Sequence, residues 1–181
     1  MGPDASGPPT LGIAELDRLD AAACAAALAP LFEGAPRFLA RLVAARPFGD
    51  AETLFARARR IAHALPVDEQ IELIDAHPRL GAPSGSVSAL SFREQGYDRE
   101  HAEAAAAAER VRVGRELARL NEAYERRFGF RYCVFVAGRP RAALLPEMEA
   151  ALAAGREREL RRALDAVIDI ASDRFRTLGS T

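Results

Sequence analysis

From Leu11 onward apolar residues recur every three or four positions and a two-residue alternation almost never appears, so the pattern predicts an all-α fold. "LDAAACAAALAPLFE" offers Asp20 as an N-cap, and "APRFLARLVAAR" keeps the helical period until "PFG" breaks it. "DAETLFARARRIAHAL" starts on Asp50, whose short carboxylate suits the first free N–H groups of a helix, and sets Leu54, Ala58, Ile61 and Leu65 on one stripe. "PVDEQIELIDAH" opens with Pro66 at a first-turn position and carries its acids at the positive end of the helix. It should stop at His77, because Pro78 disfavours helical backbone in the residue before it.

The stretch "PRLGAPSGSVSAL" is rich in Gly, Ser and Pro and reads as a loop, with a short helix starting at "SFREQG". From Asp98 to about Phe128 runs one long helix, predicted to be central, with Val113, Leu117, Leu120, Tyr124 and Phe128 on its apolar face. "GFRYCVFVAG" is the one β-branched and aromatic run, and Gly129 and Gly138 bracket it as an extended connector. Two more helices follow, the first ending near Gly155 and interrupted or turned at Pro146, the second running to the end of the chain. A single helical domain over residues 11–181, behind a Pro/Gly-rich leader over 1–10, fits a length of 181 residues.

Composition narrows the class. With 49% hydrophobic and 28% charged residues and a net charge of -1, the chain has an ordinary globular profile, and nucleic acid is not an expected partner. All 25 basic residues are arginine, and most lie among carboxylates at helical spacing, where solvated ion pairs are the plain reading. Cys24 and Cys133 sit in no CxxC or Cys/His cluster, so neither a disulfide framework nor a zinc site is indicated. No apolar run approaches a membrane span and no signal segment opens the chain, which points to the cytoplasm and no membrane partner. "MGPDAS" satisfies a myristoylation pattern, but followed by "GPP" it reads more simply as leader.

Few residues carry a chemical signal. His63 falls off the stripe of its helix and His101 lies among Glu100, Glu103 and arginines, so both read as surface residues. His77 lies where its helix ends, at the edge of the face marked by Val67, Ile71 and Ile74, and is either a capping or core histidine or an imidazole projected into an enclosed site. Ser91 and Glu94 form the spacing of a capping box, which a purely structural role explains completely. P-loop, GxGxxG, HExxH and G-x-S-x-G patterns are missing, leaving chemistry without a nucleotide, metal or serine nucleophile, or no chemistry.

Taken in order, "HPRLG", "SFREQ", "LNEAYERRFGFRYCVFVAG" and "IASDRF" resemble the 2-oxo-4-hydroxy-4-carboxy-5-ureidoimidazoline (OHCU) decarboxylase family over about Leu16 to Leu178. The resemblance implies an all-α carboxy-lyase, usually a homodimer, that converts the ureidoimidazoline of urate catabolism to (S)-allantoin with neither metal nor organic cofactor. It assigns His77 and Glu94 to catalysis. It assigns substrate contacts to Pro78, Ser91, Gln95 and Arg174, and to the backbone of Tyr132, Cys133, Val134, Phe135 and Val136. The family commonly has proline after Phe-Gly-Phe, whereas Arg131 stands here, and the loop from Ala82 to Leu90 is unusually rich in Ser and Gly. A helical interaction module in which His77 and Glu94 only cap helices, or a lyase or hydrolase acting on another ureide, are the alternatives.

Overall fold

The computed structural model describes residues 12–96 and 104–179. The leader and His101 lie outside the described residues. The helices are α1 (Ile13–Arg18), α2 (Ala21–Leu28), α3 (Pro36–Ala44), α4 (Ala51–Ala64), α5 (Val67–Asp75), α6 (Ala89–Glu94), α7 (Ala104–Phe128), α8 (Arg141–Ala151) and α9 (Arg156–Gly179). The described residues include no strand, and the all-α expectation holds.

Local signals set most boundaries. Asp20 and Asp50 accept the backbone N–H groups of Ala23 and Thr53 at 2.8 and 2.6 Å, capping α2 and α4 as their sequence predicts. Pro66 immediately precedes α5 rather than lying inside its first turn. Two boundaries differ from the sequence pattern. Ser88, not Ser91, caps α6, so the helix starts earlier than expected and Ser91 lies inside it. Pro146 does not interrupt α8, which runs through it; burial of Leu144, Leu145, Met148 and Ala151 along one face outweighs the missing hydrogen bond.

The long helix α7 buries its predicted stripe, Val113, Leu117, Leu120, Tyr124 and Phe128. The centre of the molecule nevertheless belongs to α9, which packs against α4, α5, α7 and the 3-10 turn Ala29–Leu31. Ala163, Leu164, Ala166, Val167, Ile168, Ile170 and Ala171 are all buried, so the apolar arc of its middle is wider than a single stripe and leaves only the side of Asp165 and Asp169 to solvent. Its C-terminal part carries Arg174 into the same interior. His63 is less exposed than expected: its Nε2 lies 2.9 Å from Asp165 Oδ1 and links α4 to α9. No helix among the described residues is long and apolar enough to cross a membrane.

Candidate active site

A cavity of about 540 Å³ opens between the end of α5, the short helix α6, the extended connector and the last turns of α9. His77, Pro78, Ser91, Glu94, Gln95 and Arg174 line it. So do Tyr132, Cys133, Val134, Phe135 and Val136, and every site residue expected from the sequence therefore shares one enclosure.

His77 belongs to the inward face of α5 rather than its edge. That face is Gln70, Leu73, Ile74 and His77, all buried, whereas Val67 is 51% exposed. The helix gives out at Asp75, and the His77 N–H still reaches Ile74 O at 3.1 Å. In the ring, Nδ1 lies 3.4 Å from Leu73 O; a carbonyl only accepts, so the proton sits on Nδ1. Nε2 is buried and has no protein partner, which leaves its lone pair free in a residue that lines the cavity. Burial, and then the Arg174 charge, push the imidazole down to about 4, so it is neutral at pH 7.

Opposite stands a buried charge cluster. Arg174 Nε and Nη2 donate to the two oxygens of Glu94 at 2.6 and 2.9 Å, a bidentate pair. Nη2 also reaches Glu33 Oε1 at 2.9 Å and Ser91 Oγ at 3.0 Å, and Nη1 donates to Pro30 O and Leu31 O. The guanidinium faces the cavity with all its donors engaged by protein. Glu33 carries no sequence signal, yet it accepts from Ser88 Oγ and Ser91 Oγ at 2.8 and 2.7 Å as well as from Arg174. Burial pushes the Glu33 carboxyl up, but the Ser91 hydroxyl, the Arg174 charge and Ser88 together hold it below the usual range. The apparent capping box of Ser91 and Glu94 is thus two tertiary contacts, one to Glu33 and one to Arg174.

Gln95 fastens the "HPRLG" segment. Its Oε1 accepts the Gly81 N–H at 2.8 Å, and Asn121 Nδ2 donates to Leu80 O at 2.9 Å. Gly81 is required there twice over: its φ is +78°, and a Cβ would lie 2.8 Å from Leu117 Cδ1.

The connector is held by arginines. Arg131 donates its backbone N–H to Asp75 Oδ1 at 2.8 Å, a bond proline could not make. Its Nη1 reaches Asp75 O and His77 O at 2.6 and 3.0 Å, tying the connector to the helix end that bears His77. Arg162 donates to Cys133 O at 2.9 Å, stacks over the Tyr132 ring at 4.6 Å and pairs with buried Glu159, which also accepts from Tyr124. Between Tyr132 and Val136 no backbone N–H donates to a protein acceptor, so these groups remain available to a ligand. Burial pushes the Tyr132 phenol up to about 12, and its hydroxyl is also without a partner, a neutral donor at the wall.

A family model described as OHCU decarboxylase matches residues 17–176. Among curated proteins the chain is 30% identical over 169 residues to the 2-oxo-4-hydroxy-4-carboxy-5-ureidoimidazoline decarboxylase of Haloferax volcanii, covering 91% of this chain and 94% of that one. It is 31% identical over 162 residues to the uric acid degradation bifunctional protein PucL of Bacillus subtilis; that match covers 90% of this chain but only 31% of the longer protein. Among solved structures, an OHCU decarboxylase crystallised in the presence of (S)-allantoin has a TM-score of 0.63 at 23% identity, over 82% of this chain and 94% of that one. An (S)-allantoin synthase has the same TM-score at 21% identity, over 93% and 54%, and both establish the shared fold. The match over residues 17–176, together with a relative of nearly equal extent, makes this chain a member of the OHCU decarboxylase family.

Proposed function

We propose that this chain removes CO2 from 2-oxo-4-hydroxy-4-carboxy-5-ureidoimidazoline and releases (S)-allantoin. The observation that carries the reading is the free Nε2 of a buried, neutral His77 in the one cavity that gathers the family motifs. In the reaction the bond from the ring to the carboxylate breaks, CO2 leaves, and the electron pair stays on the ring, whose imine and carbonyl groups spread it. One proton is then taken up at the carbon that becomes the stereocentre. The substrate supplies its own electron sink, so the protein has to orient, stabilise charge and move protons.

Neutral His77 accepts the substrate hydroxyl through Nε2, the arrangement a general base needs. Arg174 holds the Glu94 carboxylate beside it, and Gln95 and Ser91 present polar edges to the ureido group and ring. The unpaired N–H groups of the connector grip the ring's carbonyl oxygens and fix which face is protonated. The protein works in the cytoplasm as a homodimer in this reading, an arrangement the family resemblance suggests and light scattering would check.

The test generates the substrate in situ from urate with urate oxidase and hydroxyisourate hydrolase, then follows its absorbance and the circular dichroism of the product. Accelerated decay to one enantiomer supports the reading, and decay at the spontaneous rate to racemic allantoin refutes it. His77→Asn and Glu94→Ala should each lower turnover on the order of a hundredfold with helical content intact. Near-normal activity removes that residue from the mechanism.

A further inference from the structure

The cavity has a charge problem. Its substrate, on the function proposed above, is an anion, because the carboxylate to be lost is ionised at neutral pH. The cluster it meets consists of one buried guanidinium, Arg174, shared between half-buried Glu94 and Glu33, and so carries one negative charge in excess. His77 is neutral at pH 7 and adds nothing positive. Asp173, also on the wall, already bonds Arg176 on the outer face of α9 at 3.2 Å. A carboxylate entering such a site is repelled unless another cation meets it, and a low-dielectric cleft strengthens that repulsion.

Among the described residues only two cationic side chains line the cavity, Arg174 and Arg93. The donors of Arg174 are engaged by Glu94, Glu33, Ser91, Pro30 O and Leu31 O. Arg93 sits on the last turn of α6, exposed, its side chain without a hydrogen bond or ion pair among the described residues, immediately before Glu94. An unpaired guanidinium on the cavity wall is matched, by its planar fork of donors, to a carboxylate. We propose that Arg93 binds the substrate carboxylate, the group that leaves as CO2, and so selects the carboxylated ureidoimidazoline over its decarboxylated product.

This contact has an unusual energetic signature. It is made to the ground state and fades as the carboxylate turns into neutral CO2, so it contributes to substrate binding and not to the chemical step. It also vanishes from the product complex, which helps allantoin to leave. The experiment measures KM and kcat for Arg93→Ala and Arg93→Lys with the in situ substrate, alongside the inhibition constant of (S)-allantoin, which keeps the ring and ureido group but has no carboxylate.

Arg93→Ala should raise KM on the order of tenfold without lowering kcat, leave the allantoin constant unchanged, and recover in part as Arg93→Lys, which restores the charge without the fork. An unchanged KM in an active, folded Arg93→Ala protein overturns the assignment. A parallel rise of KM and of the allantoin constant does so as well, because it marks a packing role that does not read the carboxylate. Wild-type protein that fails to accelerate decay at all overturns the function proposed above and this assignment with it; active wild type with an indifferent variant overturns only the assignment.

Discussion

At the scale of single residues, the most consequential group is a histidine kept neutral by its surroundings. Burial and the Arg174 charge lower His77 to about 4, while Glu33, across the cluster, and the Leu73 carbonyl pull the other way. An unfolded chain would titrate this imidazole near 6.5, so between those values the unfolded state binds more protons. The stability contributed by neutral His77 is therefore complete above about pH 6.5 and is lost as pH falls toward about 4, on the order of 3 kcal/mol in total. Urea melts from pH 7 down to 4 should show the wild type losing stability more steeply than His77→Asn, and equal slopes would contradict a buried neutral ring. The ordered motifs made His77, Ser91, Glu94, Gln95 and Arg174 legible in the sequence, and all five line the cavity. Glu33 was not, because no spacing rule links it to an arginine 141 positions away. Ser88 and Ser91 both have cap chemistry and both donate to Glu33, and the cap goes to Ser88 because its Oγ accepts the Ser91 N–H.

Elements are placed less by their own patterns than by what they pack against. The apolar stripe of α7 was readable and is buried, but a stripe says that a helix is half covered and not where it stands, and the central place went to α9. The run "LDAVIDIA" at the heart of α9, whose apolar residues cover a wider arc than one stripe and leave only Asp165 and Asp169 outside it, held that information. Pro146 misled for a related reason, since local propensity gives way where a buried face holds a helix together. The "HPRLG" turn shows the reverse, a loop whose local chemistry is decisive. Gly81→Ala must place a side chain at φ +78° and against Leu117, while Gln95 holds the Gly81 N–H. A loss of roughly 1–3 kcal/mol in urea melts, with reduced turnover from a displaced Gln95, is expected. A variant with the wild-type midpoint and rate would show that the turn tolerates a side chain. Arg131, where the family commonly carries proline, is accommodated by its own bonds to Asp75 and His77, so the departure leaves the connector anchored.

Across the whole molecule, two kinds of cohesion coexist. The body is joined by apolar burial around α9, whereas α6 is attached by other means: its buried residue is Ser91, buried Gln95 caps its end, and its moorings are Ser88 and Ser91 to Glu33, Glu94 to Arg174 and Gln95 to Gly81. A segment secured by directional polar bonds, with little apolar area to hide, opens more easily than the core it rests on. The denaturant guanidinium is chemically the head group of Arg174, and it competes for the carboxylates of Glu33 and Glu94 where urea, being uncharged, does not. Guanidinium chloride should therefore abolish turnover at concentrations well below those that melt the helices, whereas in urea the gap between loss of activity and loss of helical signal should be smaller. Coincident loss in both denaturants would mean that α6 is as firmly seated as the bundle. With the expected split, the mooring that shapes the cavity is also its point of chemical vulnerability, open to small planar cations that never need to unfold the protein.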